Sequence, residues 1–167
     1  MTLQPLIEAF EYHKWANLYL LDVCAKLPVK ELSLTVPGTY GTIAATFFHM
    51  AAAEQRYARR FGAGDPRIRE SETFPGLAVL REHLERSADQ LIEAAGRTNG
   101  DEISEGKDES GRFTVTLGVI LIQALHHGND HRTQICTILG HHGIPYGDMD
   151  VWAYGAVTGG MVWITKA

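Results

Sequence analysis

The segment ALHHGNDHRTQI, Ala124 to Ile135, places three histidines and one aspartate in a run otherwise patterned like a buried helix. A polar ring at a core position must be compensated by a hydrogen bond, a charge partner or a metal. The inward stripe of this helix reads Leu117, Ile120, Ala124, His127, His131, Gln134 and Ile138, so two imidazoles stand where core residues belong. Positions four apart on a helix differ by about 40° in direction and about 6 Å in height, which lets His127 and His131 converge on one ion. His126 points about 100° away from His127 and can pair with Asp130 one turn on, as a solvated or subunit-contact pair and not a ligand set.

Working outward, the chain predicts three more helices. Leu6, Phe10, His13, Asn17, Leu20, Cys24 and Leu27 form one stripe between Pro5 and Pro28. A second helix follows the turn-rich VPGTYGT, runs through IAATFFHMAAAEQRYARRF and stops at GAGDP. A third runs from about Pro75 to Ala95 on Leu77, Leu80, Leu84, Ala88 and Leu91, with Arg81, Glu82, Glu85 and Arg86 on its solvated face. The polar, glycine-rich stretch from Gly96 to Thr116 reads as a long connection with room for a small hairpin near Arg112 to Val115. The fourth helix then starts at a Thr116 cap and ends at Gly140. Four helices and no strong strand predict an all-α fold, a four-helix bundle with a short C-terminal extension, as one domain over residues 1–167.

His49 lies mid-way along the second helix among Ala45, Thr46, Ala52 and Ala53, where it can complete a three-nitrogen set with His127 and His131. Three neutral imidazoles would leave a divalent ion its full charge and an open position, the arrangement of a reactive site. Two familiar sites are excluded. A zinc-protease helix needs glutamate where Gly128 stands, and a carboxylate-bridged di-iron site needs glutamates three residues before its histidines. His13, on the inward stripe of the first helix, is a candidate pocket residue; His83, His141 and His142 read as solvated or end-of-helix residues.

The composition is that of an ordinary globular protein, 45% hydrophobic and 21% charged, with a formal net charge of −5 and no basic run to meet nucleic acid or a membrane surface. The first residues show no leader pattern and the longest apolar run is too short to cross a bilayer, which predicts a cytoplasmic protein. Cys24 and Cys136 match no paired-cysteine pattern and read as free thiols in a reducing compartment. The apolar tail GGMVWITKA predicts a homodimer, or failing that a tail folded back on its own helices.

Three stretches together resemble the DinB/YfiT-like superfamily of bacterial metal-binding four-helix bundles: YHKWAN (Tyr12 to Asn17), FFHMAAAEQRY around His49, and HHGNDHRTQI. The likeness covers almost the whole chain. His13 stands where that family usually has asparagine, and Asp130 where it often has another histidine. The resemblance implies an up-down-down-up helix order, the ligand set His49, His127 and His131 for one divalent transition metal (zinc or nickel, with iron as a further option), and frequent homodimers. The superfamily includes thiol-dependent transferases and a thiol-dependent isomerase, which makes a low-molecular-weight thiol the expected small-molecule partner. The alternatives are a metal-dependent hydrolase and a non-catalytic, stress-associated metal-binding module. Gln134, one turn beyond His131, can hydrogen-bond a ligand or an imidazole. Asp130, Gln134 and His13 are the catalytic candidates, with Glu54 and Tyr57 as further proton carriers; Arg132 is expected to pair with an acidic residue on a neighbouring helix.

Overall fold

The computed structural model describes residues 4–64 and 68–164. Helix α1 spans Gln4–Cys24 and is followed by a 3-10 turn at Val29–Ser33. Helix α2 (Ile43–Arg59) begins at Thr42, whose side-chain oxygen accepts from the Ala45 backbone N–H. Helix α3 covers Leu77–Arg97 and α4 covers Leu117–His141, the latter capped by Thr116 accepting from Val119 N–H. A fifth helix, α5 (Val151–Thr158), starts at Asp150, which caps Ala153 N–H. Between α3 and α4 lie β1 (Ile103–Asp108) and β2 (Gly111–Thr116), antiparallel, with Asp108 opposite Gly111.

The expected all-α class therefore needs correction: the protein is mostly helical, but the polar connection is a regular hairpin. Its strands carry too few alternating apolar residues for a clear period-2 signal; they pair with each other along their whole length, and Arg60 at the end of α2 bonds β1 from outside. Phe113 crosses over to lie on Gly106, where any side chain would collide with the ring.

Helix directions follow from which residues share a core. Phe10 packs in the cluster of Leu121 and Ala124, while Leu20 and Cys24 pack in that of Ile135 and Leu139, so α1 and α4 run the same way. Ile43 and Phe47 share a cluster with Leu77 and Leu80, and Ala58 with Leu91 and Ala94, so α2 and α3 also run together. Lys14 pairs with Asp89 and Asp22 with Arg81, which sets α1 against α3 in opposite directions. Because α2 and α3 are parallel, the chain between them must return along the helices. Ile68 on this return segment is held to α2 by donating its N–H to Gln55 Oε1 (2.9 Å).

At the centre the packing is polar. Glu54 of α2, 4% exposed, accepts from Ser87 Oγ of α3 (2.7 Å) and, on its other oxygen, from His13 Nε2 (2.7 Å) and Asn17 Nδ2 (3.1 Å) of α1. Arg132 of α4 donates to Asn17 Oδ1 (2.7 Å) and approaches His13 Nδ1 (3.3 Å), with its guanidinium over the Tyr12 ring. These directions select the Nε2–H tautomer of His13, donating to the carboxylate and accepting from the guanidinium. Among the described residues Arg132 thus meets no acid directly, contrary to expectation; the carboxylate lies one residue further on, through Asn17 and His13. The His13 ring fits only because α4 carries Gly128 beside it. A Cβ at Gly128 would come within 2.9 Å of His13 Nδ1 and closer still to Cε1. Gly128→Ala is therefore expected to destabilise the fold by about 1–3 kcal/mol through overpacking, read as a lowered urea midpoint, whereas alanine at Gly64, which meets nothing among the described residues, should change the unfolding free energy by no more than about 0.5 kcal/mol.

Candidate metal centre

The structure brings His49 of α2 together with His127 and His131 of α4. Their ligand nitrogens all lie within 4.8 Å of one another, and His49 Nε2 and His127 Nε2 are 3.0 Å apart. The rings meet edge to face, with centroids 4.4 Å apart for His127 and His131 and 4.8 Å for His49 and His131. His131 is buried; the other two are half-buried, so the site opens on one side.

The outer nitrogens are committed to protein partners. His49 Nδ1 donates to Glu70 Oε2 (2.8 Å), and His131 Nδ1 donates to Gln134 Oε1 (3.0 Å). Each bond places the proton on Nδ1 and leaves the Nε2 lone pair for the site. Glu70 is held in turn by the Tyr40 hydroxyl (3.0 Å) and Arg56 (3.2 Å), and Gln134 Oε1 also accepts from Tyr40 N–H (3.1 Å). Tyr40 stacks on His49 at 4.2 Å and meets His131 edge-on. One residue of the α1–α2 loop thus braces two of the three imidazoles.

Electrostatics favour a cation. Burial, reinforced by the neighbouring His131 and His49, lowers the pKa of His127 to about 3, and burial also lowers that of His131, against a raising contribution from Gln134. Both rings are neutral at physiological pH, as metal ligands must be. Burial pushes the Glu70 carboxyl up, but its bonds from His49, Tyr40 and Arg56 outweigh this and hold it below the ordinary carboxylate range. Glu70 is therefore an anion that steadies His49, in the manner of carboxylate–histidine pairs around metals. The donors fit a metal: three imidazole nitrogens, two of them on rings whose orientation is fixed by a bond at Nδ1. The widest separation closes by rotation about the broad terminal imidazole torsions.

The other sequence candidates are placed elsewhere. Gln134 acts on His131, as its spacing allows. Asp130 is exposed and pairs with His126 (3.0 Å), facing away from the triad. His13, 1% exposed, and Glu54 belong to the polar core, so neither has a solvent-facing edge. Tyr57 lies edge-on to His127 at 5.7 Å. His83, read as solvated, is half-buried and accepts from Gln55 Nε2 (2.7 Å). Glu70 and Tyr40 are the site residues that the sequence did not disclose. Both lie in loops without periodicity, and no spacing ties position 70 to position 49.

Burial pushes the thiol of Cys24 up to about 12 and that of Cys136 to about 11, so neither is a nucleophile at neutral pH. Replacing His49, His127 or His131 by alanine is expected to abolish stoichiometric divalent-metal binding in equilibrium dialysis. Glu70→Gln should weaken it by about 10–100-fold, and His126→Ala or His142→Ala should leave it unchanged.

Among known proteins, the family model of the DinB family matches residues 1–161. A DinB-like protein from Bacillus cereus, known from a crystal structure, superposes with a TM-score of 0.68 at 16% sequence identity, over 88% of this chain and 97% of that one. At that identity the likeness speaks for the fold alone. No curated protein matches the sequence. With its helical fold and its three converging histidines, this chain belongs to the DinB family.

Proposed function

We propose that this protein is a metal-dependent enzyme of the thiol-transferase type, holding one divalent ion, zinc or nickel, with His49, His127 and His131. The observation that carries the reading is the convergent triad, in which Glu70 and Gln134 hold the Nδ1 sides of His49 and His131 and so fix the orientation of two of the three rings. A bound divalent ion would leave room for a further ligand and would lower the proton affinity of a thiol there, supplying a nucleophile at neutral pH.

The chain's own residues fill supporting roles. Glu70 and Gln134 orient two imidazoles, and Tyr40 holds both of these partners while stacking on His49. Since Cys24 and Cys136 are held protonated by burial, the reacting sulfur has to arrive with a small-molecule thiol. The buried Glu54 cluster keeps the two ligand-bearing helices in register.

Cobalt-substituted protein titrated with cysteine or 2-mercaptoethanol is expected to gain a sulfur-to-metal absorption and to release one proton per thiol bound. A cobalt spectrum indifferent to both thiols, with cleavage of activated esters that rises with pH, would replace thiol transfer by hydrolysis. Silence in both assays would leave a non-catalytic metal-binding module.

Association as a homodimer in the cytoplasm belongs to the same reading. Among the described residues no helix is long and apolar enough to cross a membrane. Tyr154 of α5 packs on Tyr12 and Trp15 of α1 and Met161 N–H bonds the Gly155 carbonyl, yet among the described residues Trp152, Val157, Val162, Trp163 and Ile164 remain exposed. Apolar exposure of this kind supports a partner of the same chain. Light scattering is expected to give twice the 18.5 kDa chain mass, falling towards one chain mass on Trp152→Glu or Trp163→Glu substitution.

A further inference from the structure

Beside the triad, α2, α4 and the hairpin enclose a cavity of about 310 Å³. Its composition is divided. Phe113 and Val115 of β2 and Val119 and Ile120 of α4 form an apolar wall, of which Phe113 is 41% and Val119 54% exposed. Arg56 and Arg60, one turn apart on α2, form the opposite pole. The end nearest the triad carries Tyr57, whose ring lies against His127, and the exposed Gln123, one turn before His127 on α4.

Charge accounting distinguishes this cavity from an incidental surface hollow. Arg56 bonds Glu70, but Arg60 donates to Ser104 Oγ (3.3 Å) and to the Glu105 backbone carbonyl, both neutral oxygens. The Glu105 carboxylate turns instead to Arg112 (2.7 Å). Among the described residues, no carboxylate pairs with Arg60. The cavity therefore offers an uncompensated guanidinium beside an apolar wall, and its volume lies at the small end of the range for small-molecule sites.

We propose that this cavity is the substrate subsite, taking a small organic anion with an apolar body: the carboxylate, phosphonate or sulfonate end lies at Arg60 and Arg56, the body lies along Phe113, Val119 and Ile120, and the reacting end is directed past Tyr57 towards His127. The assignment rests on the metal-enzyme reading for its role, but not for its occupancy. An apolar anion is bound by the arginines and the wall whether or not an ion is present. The hairpin, none of whose described residues belongs to either hydrophobic cluster, then has a purpose as the outer wall of the subsite.

The probe is 3-phenylpropionate, compared with its neutral amide and with inorganic phosphate, by isothermal titration and by amide chemical-shift perturbation. Metal-free protein, metal-loaded protein and the His127→Ala variant are titrated in parallel. Binding of 3-phenylpropionate is expected in all three, with shifts in α2, the start of α4 and β2. The amide should bind about tenfold more weakly for loss of the charge-assisted contact, and phosphate should bind more weakly still for want of an apolar body. Arg60→Gln should lower affinity for the carboxylate about tenfold while leaving that for the amide unchanged. Because Arg60 also fastens the hairpin, Val119→Asp, at an exposed wall position, serves as the second variant and should lower affinity for both acid and amide. Equal affinity for acid and amide, shifts confined to another region, or affinity unchanged by both variants would overturn the assignment. Absence of metal in the purified protein with the binding pattern intact would sink the enzyme reading and leave the subsite standing.

Discussion

Glu54 is the constraint on which the arrangement depends. A carboxylate at 4% exposure is costly unless every acceptor position is used. Its three direct partners come from two other helices, Ser87 on α3 and His13 and Asn17 on α1, and the fourth helix joins through Arg132. An apolar core of leucines tolerates sliding by part of a turn, since one methyl group replaces another. This cluster does not, because a shift of one residue would strand a buried charge. It therefore sets the relative height of all four long helices, and with it the meeting of His49 on α2 with His127 and His131 on α4.

The loops complete what the helices begin. Parallel α2 and α3 oblige the chain to travel back along α2 before α3 can start, and this return brings Glu70 beside His49, 21 positions away in sequence. The α1–α2 loop likewise delivers Tyr40, which reaches both Glu70 and Gln134. Helix packing supplies three nitrogens in the right volume. The two connections decide which nitrogen of His49 and of His131 faces inward, and so whether the site presents lone pairs or protons to a cation.

Much of this was legible in the chain. The apolar stripes located all four long helices, and the four-residue spacing of His127 and His131 is a property of helical geometry that needs no tertiary structure. His49 could be singled out because an imidazole on an alanine-rich inward face has no local partner to account for it. The hairpin was less legible: six-residue strands rich in charge and glycine, ISEGKD and GRFTVT, carry no clear alternation, and Phe113 finds its place only by crossing to Gly106. Arg132 and His13 were read for their types but not their partners, because each is satisfied by residues on other helices.

The sequence by itself determined the local structure and the donor chemistry: which segments are helical, which face of each is buried, and which imidazoles point inward, since these follow from residues within a few positions of one another. Only the tertiary structure decided that His13 and Glu54 serve the core, and that Glu70 and Tyr40 serve the site. Those outcomes turn on hydrogen bonds between residues far apart in the chain. Their geometry exists only after the helices have packed in one register.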